Sequence, residues 1–181
     1  MGCNAQVDTG CSNDERPGRM VFLDAFAIDI YEVTVAAYRQ CVEAGKCTAP
    51  NTGGSCNWNT SDRAQHPINC VDWSQANAYC RWAGKRLPTE AEWEKAARGT
   101  DRRVYPWGNA WDATKANVST NGTVAVGSYP AGKSPYGALD MSGNVWEWTA
   151  DWYADAYYHN GPVKNPKGPE SGQVRSVRGG S

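Results

Sequence analysis

The chain has 181 residues, enough for one domain with a substantial core, and its 18 Lys and Arg nearly balance 19 Asp and Glu. That balance removes any broad electrostatic attraction to nucleic acid or anionic lipid, and no apolar run approaches the roughly 20 residues that cross a bilayer as a helix. Nine Trp and nine Tyr against two Phe, with 19 Gly and ten Pro, predict a turn-dense chain with few helices, its polar-tipped aromatics replacing aliphatic packing.

Residues 1–19 are polar and irregular, without the charged-then-apolar pattern of a signal peptide. Val21–Tyr31 reads as a strand pair or bent strand, because Phe22, Phe26, Ile28 and Ile30 come close to alternation. Thr34 is the expected N-cap of a first helix, with Tyr38, Cys41 and Val42 on one face and Gly45 as its stop. After a long loop over 46–69, Ser74 is expected to cap a second helix that runs to Trp82, with Ala76, Tyr79, Cys80 and Ala83 sharing a face before Gly84. Thr89-Glu-Ala-Glu92 is a capping box: the Thr89 hydroxyl accepts from the Glu92 amide while the Glu92 carboxylate reaches back, opening a third helix from Glu90 to Arg98. Beyond Val104 the pattern becomes irregular, with short strands expected at Val124–Tyr129, Val145–Asp151 and Val174–Arg178. The last residues, Gln173–Ser181, run through a strand without a closing turn, which reads as a domain cut short.

Seven cysteines without any C-x-x-C spacing, and two isolated histidines (His66 and His159), argue against zinc and for disulfides in an oxidising compartment. The expectation is therefore a secreted, periplasmic or cell-surface protein. Cys3/Cys11, Cys41/Cys47 and Cys56/Cys70 are candidate local pairs, with Cys80 left over. Spacing alone leaves the connectivity open, and a Cys41–Cys80 bond between packed helix faces is the competing arrangement. Asn59, Asn117 and Asn121 match the N-glycosylation pattern, which as plain sequence reads as surface turn chemistry.

One segment suits a hard cation. Asp140 and Glu147 stand at the ends of a Gly-containing loop whose carbonyls lie between them, and calcium accepts about six to eight oxygens from mixed side-chain and main-chain donors. A plain turn entering a Trp-rich strand is the alternative reading. The paired carboxylates Glu90 and Glu92 invite an acid–base reading, but helix capping and the helix dipole already account for them. Arg86 and Arg98 are expected in structural salt links.

The segment Trp82-Ala-Gly-Lys-Arg-Leu-Pro-Thr-Glu-Ala-Glu-Trp-Glu94 resembles the formylglycine-generating-enzyme, or sulfatase-modifying-factor, family. The likeness continues in order through Tyr105-Pro-Trp-Gly-Asn109, Tyr136-Gly-Ala-Leu-Asp-Met-Ser-Gly-Asn-Val-Trp-Glu-Trp148, Asn165-Pro-Lys-Gly-Pro169 and Arg178-Gly-Gly-Ser181. Upstream, Asp29-Ile-Tyr-Glu-Val-Thr34 and Pro67-Ile-Asn-Cys-Val-Asp-Trp73 fit as well. The resemblance implies an α+β, irregular, loop-rich, C-type-lectin-like fold with two or three helices and small antiparallel sheets. It further implies that residues 1–181 are a single domain lacking its first strand and its C-terminal catalytic segment.

Active members of that family oxidise a sulfatase cysteine to formylglycine with dioxygen and a copper ion held by two cysteines. Relatives include sulfoxide synthases that use iron, and others only display a binding surface. By resemblance, structural calcium is held by the Asp140 and Glu147 side chains and the Gly143 and Val145 carbonyls. A second calcium site begins at Asn117 and the Val118 carbonyl, but the loop after it lacks the expected acidic residue and is weakened. Trp146 and Ser181 match pocket-lining positions. The copper-binding pair follows that serine in active relatives, and none of the seven cysteines occupies such a place. The family's counterpart of Cys80 pairs with a cysteine farther along the chain than residue 181. The expected function is thus the body of a formylglycine-generating-type oxidoreductase without its copper ligands, with a cysteine-containing sulfatase peptide as partner. A non-catalytic, calcium-stabilised lectin-like binding module is the alternative.

Overall fold

The computed structural model describes residues 1–3, 6–8, 10–118 and 122–180. Helices α1 (Val35–Glu43), α2 (Trp73–Trp82), α3 (Glu90–Arg98) and the single turn α4 (Tyr157–Asn160) are joined by long loops, and β1 (Glu147–Trp152) pairs with β2 (Arg175–Arg178). The pairing is antiparallel, with Glu147 opposite Arg178 and Trp148 opposite Val177, and an irregularity before Trp152 meets Arg175. This is the α+β, loop-rich architecture expected, with three substantial helices and a fourth short one.

Local chemistry sets the helix starts. Thr34 caps α1 through the Ala37 amide, and the capping box at α3 forms in both directions between Thr89 and Glu92. Helix α2 starts earlier than expected: Asp72, not Ser74, is its N-cap, and Asp72 and Gln75 make a second reciprocal capping box. A carboxylate with a glutamine three residues on satisfies two orphan donors, which a serine at position 74 with Asn77 at the matching place does not.

Two strand expectations need correction. Residues 124–129 form turns rather than a strand: Gly127 takes φ +74° and the Ala125 carbonyl accepts from the Ser128 amide and hydroxyl. Residues 21–31 are extended, but their only bridge is that of Phe22 to Lys164. Phe26 and Ile28 face inward onto the cluster of Trp93, Ala96, Ala97, Ala138 and Met141, while Phe22 and Ile30 are exposed, so the alternation held for burial only in its middle and did not report pairing. A second cluster joins Val35, Tyr38 and Trp58 to Tyr79 and Val71.

The disulfides are Cys3–Cys11, Cys41–Cys47 and Cys56–Cys70, and Cys80 is the free cysteine. The Cys41–Cys80 alternative is thereby excluded. Cys80 is half-buried rather than sealed. Arg86 and Arg98 make the expected salt links, the first bidentate to Glu92 at 2.7 Å for both contacts and the second to Glu94 at 3.3 Å. Sequence reasoning gave no hint of a cation–π latch in which the Arg175 guanidinium lies 3.8 Å from the Trp73 ring and 3.4 Å from the Trp152 ring. It fastens α2 to the hairpin.

Candidate metal centre and pocket

The loop from Asp140 to Glu147 is built from backbone that few residues adopt. Asp140, Gly143 and Asn144 have φ of +58°, +91° and +64°. A side chain at Gly143 would run into the Asn117 carbonyl and lie 3.1 Å from Val118 Cγ1. The loop is pinned at both ends: Asp140 Oδ2 accepts from the Gly127 amide at 2.6 Å, and Glu147 Oε2 accepts from the Trp93 indole at 3.1 Å.

Within this frame the carboxylates are only half used. Glu147 Oε1 is sealed from solvent and has no hydrogen-bond partner. The same is true of Oε2 of Glu32, a residue just ahead of α1 that sequence reasoning did not single out. Its other oxygen accepts from Asn144 Nδ2 at 2.9 Å across 112 residues of chain. Desolvation pushes the Glu32 carboxyl up to about 9, with the charges of Asp140 and Glu147 adding to it. Burial pushes Glu147 up to about 7, against the Trp93 hydrogen bond, with Asp140 again raising it. The charges of Asp140 and Glu147 thus reach Glu32, and that of Asp140 reaches Glu147, although one oxygen from each of the three does not lie within 4.8 Å of the other two. The position a Gly179 Cβ would take is 3.1 Å from the Val145 carbonyl oxygen and 3.7 Å from Glu147 Oε1, so these two oxygens face the same point.

Asn117 and Val118 lie beside this loop. The Asn117 carbonyl accepts from the Asn144 amide at 2.8 Å. Its side-chain Nδ2 donates to the Gly122 carbonyl at 3.0 Å and to Asn144 Oδ1 at 3.1 Å. Asn117 is thus stitched into the loop. Trp146 projects between Val145 and Glu147 and is 60% exposed. Ser181 lies outside the described residues.

An open, mainly apolar groove of about 480 Å³ is lined by Phe26, Ile28, Ile30, Tyr79 and Cys80 together with Glu32, Val145, Trp146 and Glu147. Burial raises the Cys80 thiol, with the Asp29 charge reinforcing it and Lys85 opposing it, so little thiolate is present at neutral pH. Glu92 also lines this groove, but Glu90 and Glu92 are both engaged by partners of their own. Glu92 is held by Arg86 and the Thr89 amide, and Glu90 accepts from the Tyr158 hydroxyl at 2.9 Å. His66 contacts the Thr123 hydroxyl at 2.9 Å, and neither histidine joins a cluster of potential ligands among the described residues.

A loop-rich α+β body with a carboxylate-lined loop beside an apolar groove is the class these observations define. The chain belongs to the sulfatase-modifying factor family: the sulfatase-modifying factor enzyme 1-like domain matches residues 1–181. It is 44% identical over 137 residues to the formylglycine-generating enzyme of Streptomyces coelicolor, covering 66% of this chain and 43% of that one. To the formylglycine-generating enzyme of Bos taurus it is 33% identical over 226 aligned positions, covering 92% and 59%. Among solved structures, PvdO from Pseudomonas aeruginosa superposes with a TM-score of 0.82 at 28% identity, over 99% of this chain and 77% of that one. The chain spans about half the length of the curated relatives it matches.

Proposed function

We propose that residues 1–181 form the calcium-stabilised body of a formylglycine-generating-type oxidoreductase, whose partner is a cysteine-containing sulfatase peptide received near Trp146. The observation that carries this reading is the family match along the whole chain. Three disulfides support a secreted, periplasmic or cell-surface location.

Calcium fits the donor set. Its oxygens are hard, its geometry is irregular, and two of them, on Glu32 and Glu147, are buried without any partner. Glu32, Asp140 and Glu147 would hold the ion by carboxylates, with the Gly143 and Val145 carbonyls beside them. The ion would supply positive charge that offsets their mutual repulsion. The place by Asn117 and Val118 would bind a cation weakly, because residues 118–123 include no Asp or Glu. Copper(I) requires soft thiolate donors. Six cysteines are paired and Cys80 alone is free, so the residues present do not fit a two-cysteine copper centre. Residues 1–181 alone are therefore inactive in this reading.

The test is a chimera joining residues 1–181 to the segment that follows the matching region in the Streptomyces coelicolor relative. With copper and oxygen, the chimera is expected to convert a sulfatase peptide's cysteine to the aldehyde, read by mass spectrometry, while residues 1–181 alone are not. A folded chimera without product favours the second reading, a non-catalytic calcium-stabilised lectin-like module. The open groove beside an exposed Trp146 is what recommends that alternative.

A further inference from the structure

Trp146 is the pocket's most exposed aromatic side chain, and little packing holds it. Its two chain neighbours are the Val145 carbonyl and the Glu147 carboxylate, both on the cation loop. On its other side, a Cβ placed at Gly180 would lie 3.9 Å from Trp146 Cη2. The Arg178–Gly180 segment has the same support. Arg178 is paired in register with Glu147, the Gly179 carbonyl accepts from the Gly143 amide at 3.3 Å, and Gly179 itself rests over Val145 O and Glu147 Oε1. Trp146, which lines the groove, and the Arg178–Gly180 segment beside it thus both stand on the loop that holds the partnerless Glu147 oxygen.

We infer that cation occupancy positions Trp146 in the groove wall together with the Arg178–Gly180 segment beside it: the ion fixes the backbone on which both rest, and Gly179 is the positioning residue that joins them. This rests on the calcium reading of the loop. Gly179 has φ +95°, and a Cβ there would sit 3.1 Å from the Val145 carbonyl oxygen. Any side chain at 179 therefore crowds the Val145 carbonyl, a proposed donor. The coupling is reciprocal, so what the ion does to the segment, the segment does to the ion.

The experiment uses the unaltered chain with calcium or with chelator. Hydrogen exchange is followed over residues 143 and 175–180 with α3 as internal reference, together with acrylamide quenching of Trp146, isolated by subtracting the Trp146→Phe protein. Calcium is expected to protect 175–180 more than α3 and to reduce quenching of Trp146. Gly179→Ala is expected to bind calcium about tenfold more weakly, the equivalent of a modest backbone strain. If calcium raises the melting temperature but leaves 175–180 and Trp146 as they were relative to α3, the positioning role is overturned and the calcium site stands. If calcium changes nothing, the calcium reading falls, and the inference with it. Should Gly179→Ala fail to fold, the measurements on the unaltered chain decide alone.

Discussion

The start of α3 and the loop from Asp140 to Glu147 both bury carboxylates, and they treat them in opposite ways. Glu92 has both oxygens engaged, by Arg86 at 2.7 Å and by the Thr89 amide at 2.8 Å, and these partners outweigh desolvation so that its pKa is lowered. Glu32 and Glu147 each keep a sealed oxygen without a partner, and both are raised. The first arrangement completes itself from its own chain. The second leaves oxygens open, and it is this difference that the calcium reading uses.

The largest effect expected from breaking this contrast is on the loop. An ion that binds only the folded state adds about 2.7 kcal/mol at a hundredfold excess over Kd. Chelator is expected to lower the melting temperature accordingly, and Asp140→Ala and Glu32→Gln to abolish or blunt that response. Identical melting curves with and without chelator would falsify the site.

Asp151 tests whether an orphan carboxyl oxygen always marks a cation. It is fully buried, with Oδ1 accepting from the Glu90 amide at 3.1 Å and Oδ2 without a partner. Burial raises it to about 7, and a proton can fill the vacancy instead. Because the folded value lies above the unfolded one of about 3.9, its contribution is fully present below pH 4 and is lost as pH rises through about 7. In saturating calcium, Asp151→Asn is expected to flatten that fall, by on the order of 2 kcal/mol. Thermal melts of both proteins from pH 4 to 8 check this, and parallel curves would count against it.

The self-completed side of the comparison predicts less. Thr89→Ala removes one cap and costs about 1 kcal/mol, and the loss should be the same with calcium or chelator. A calcium-dependent loss would show the two regions to be coupled. Smallest of all is the effect at Cys80, where only reactivity is read. A thiol half-buried in an open groove, with its pKa raised, is expected to label slowly in the native protein and faster on unfolding, while the other six cysteines label only after reduction. Peptide mapping that finds Cys80 in a disulfide overturns this.

What the sequence made legible follows the range of the interactions. Thr34 and Thr89 were readable as caps because each bonds an amide three residues away. The three disulfides close over separations of 6, 8 and 14 residues, and the local pairs were there to be seen. Helix α2 was misread although its signal was present, since Asp72 and Gln75 hold the spacing of a capping box. Residues 124–129 failed for another reason. Their apolar composition suggested a strand, but a turn at Gly127 that hands its amide to Asp140 is decided by tertiary context. Glu32 carried no local mark, because its partner Asn144 is 112 residues away. Of this region, the sequence shows the segment from 140 to 147 and hides Glu32, which meets it through Asn144.

That 112-residue closure also bears on how the molecule folds and unfolds. Contacts so distant along the chain form after the local helices and turns, because closing a long loop costs entropy before it is repaid. A cation that bridges Glu32 to the 140–147 loop would then bind mainly after the folding barrier has been crossed. Interactions absent from the transition state act on unfolding and leave folding almost unchanged. Calcium is therefore expected to move the unfolding arm of a chevron plot and spare the refolding arm, making the ion a brake on loss of the native state.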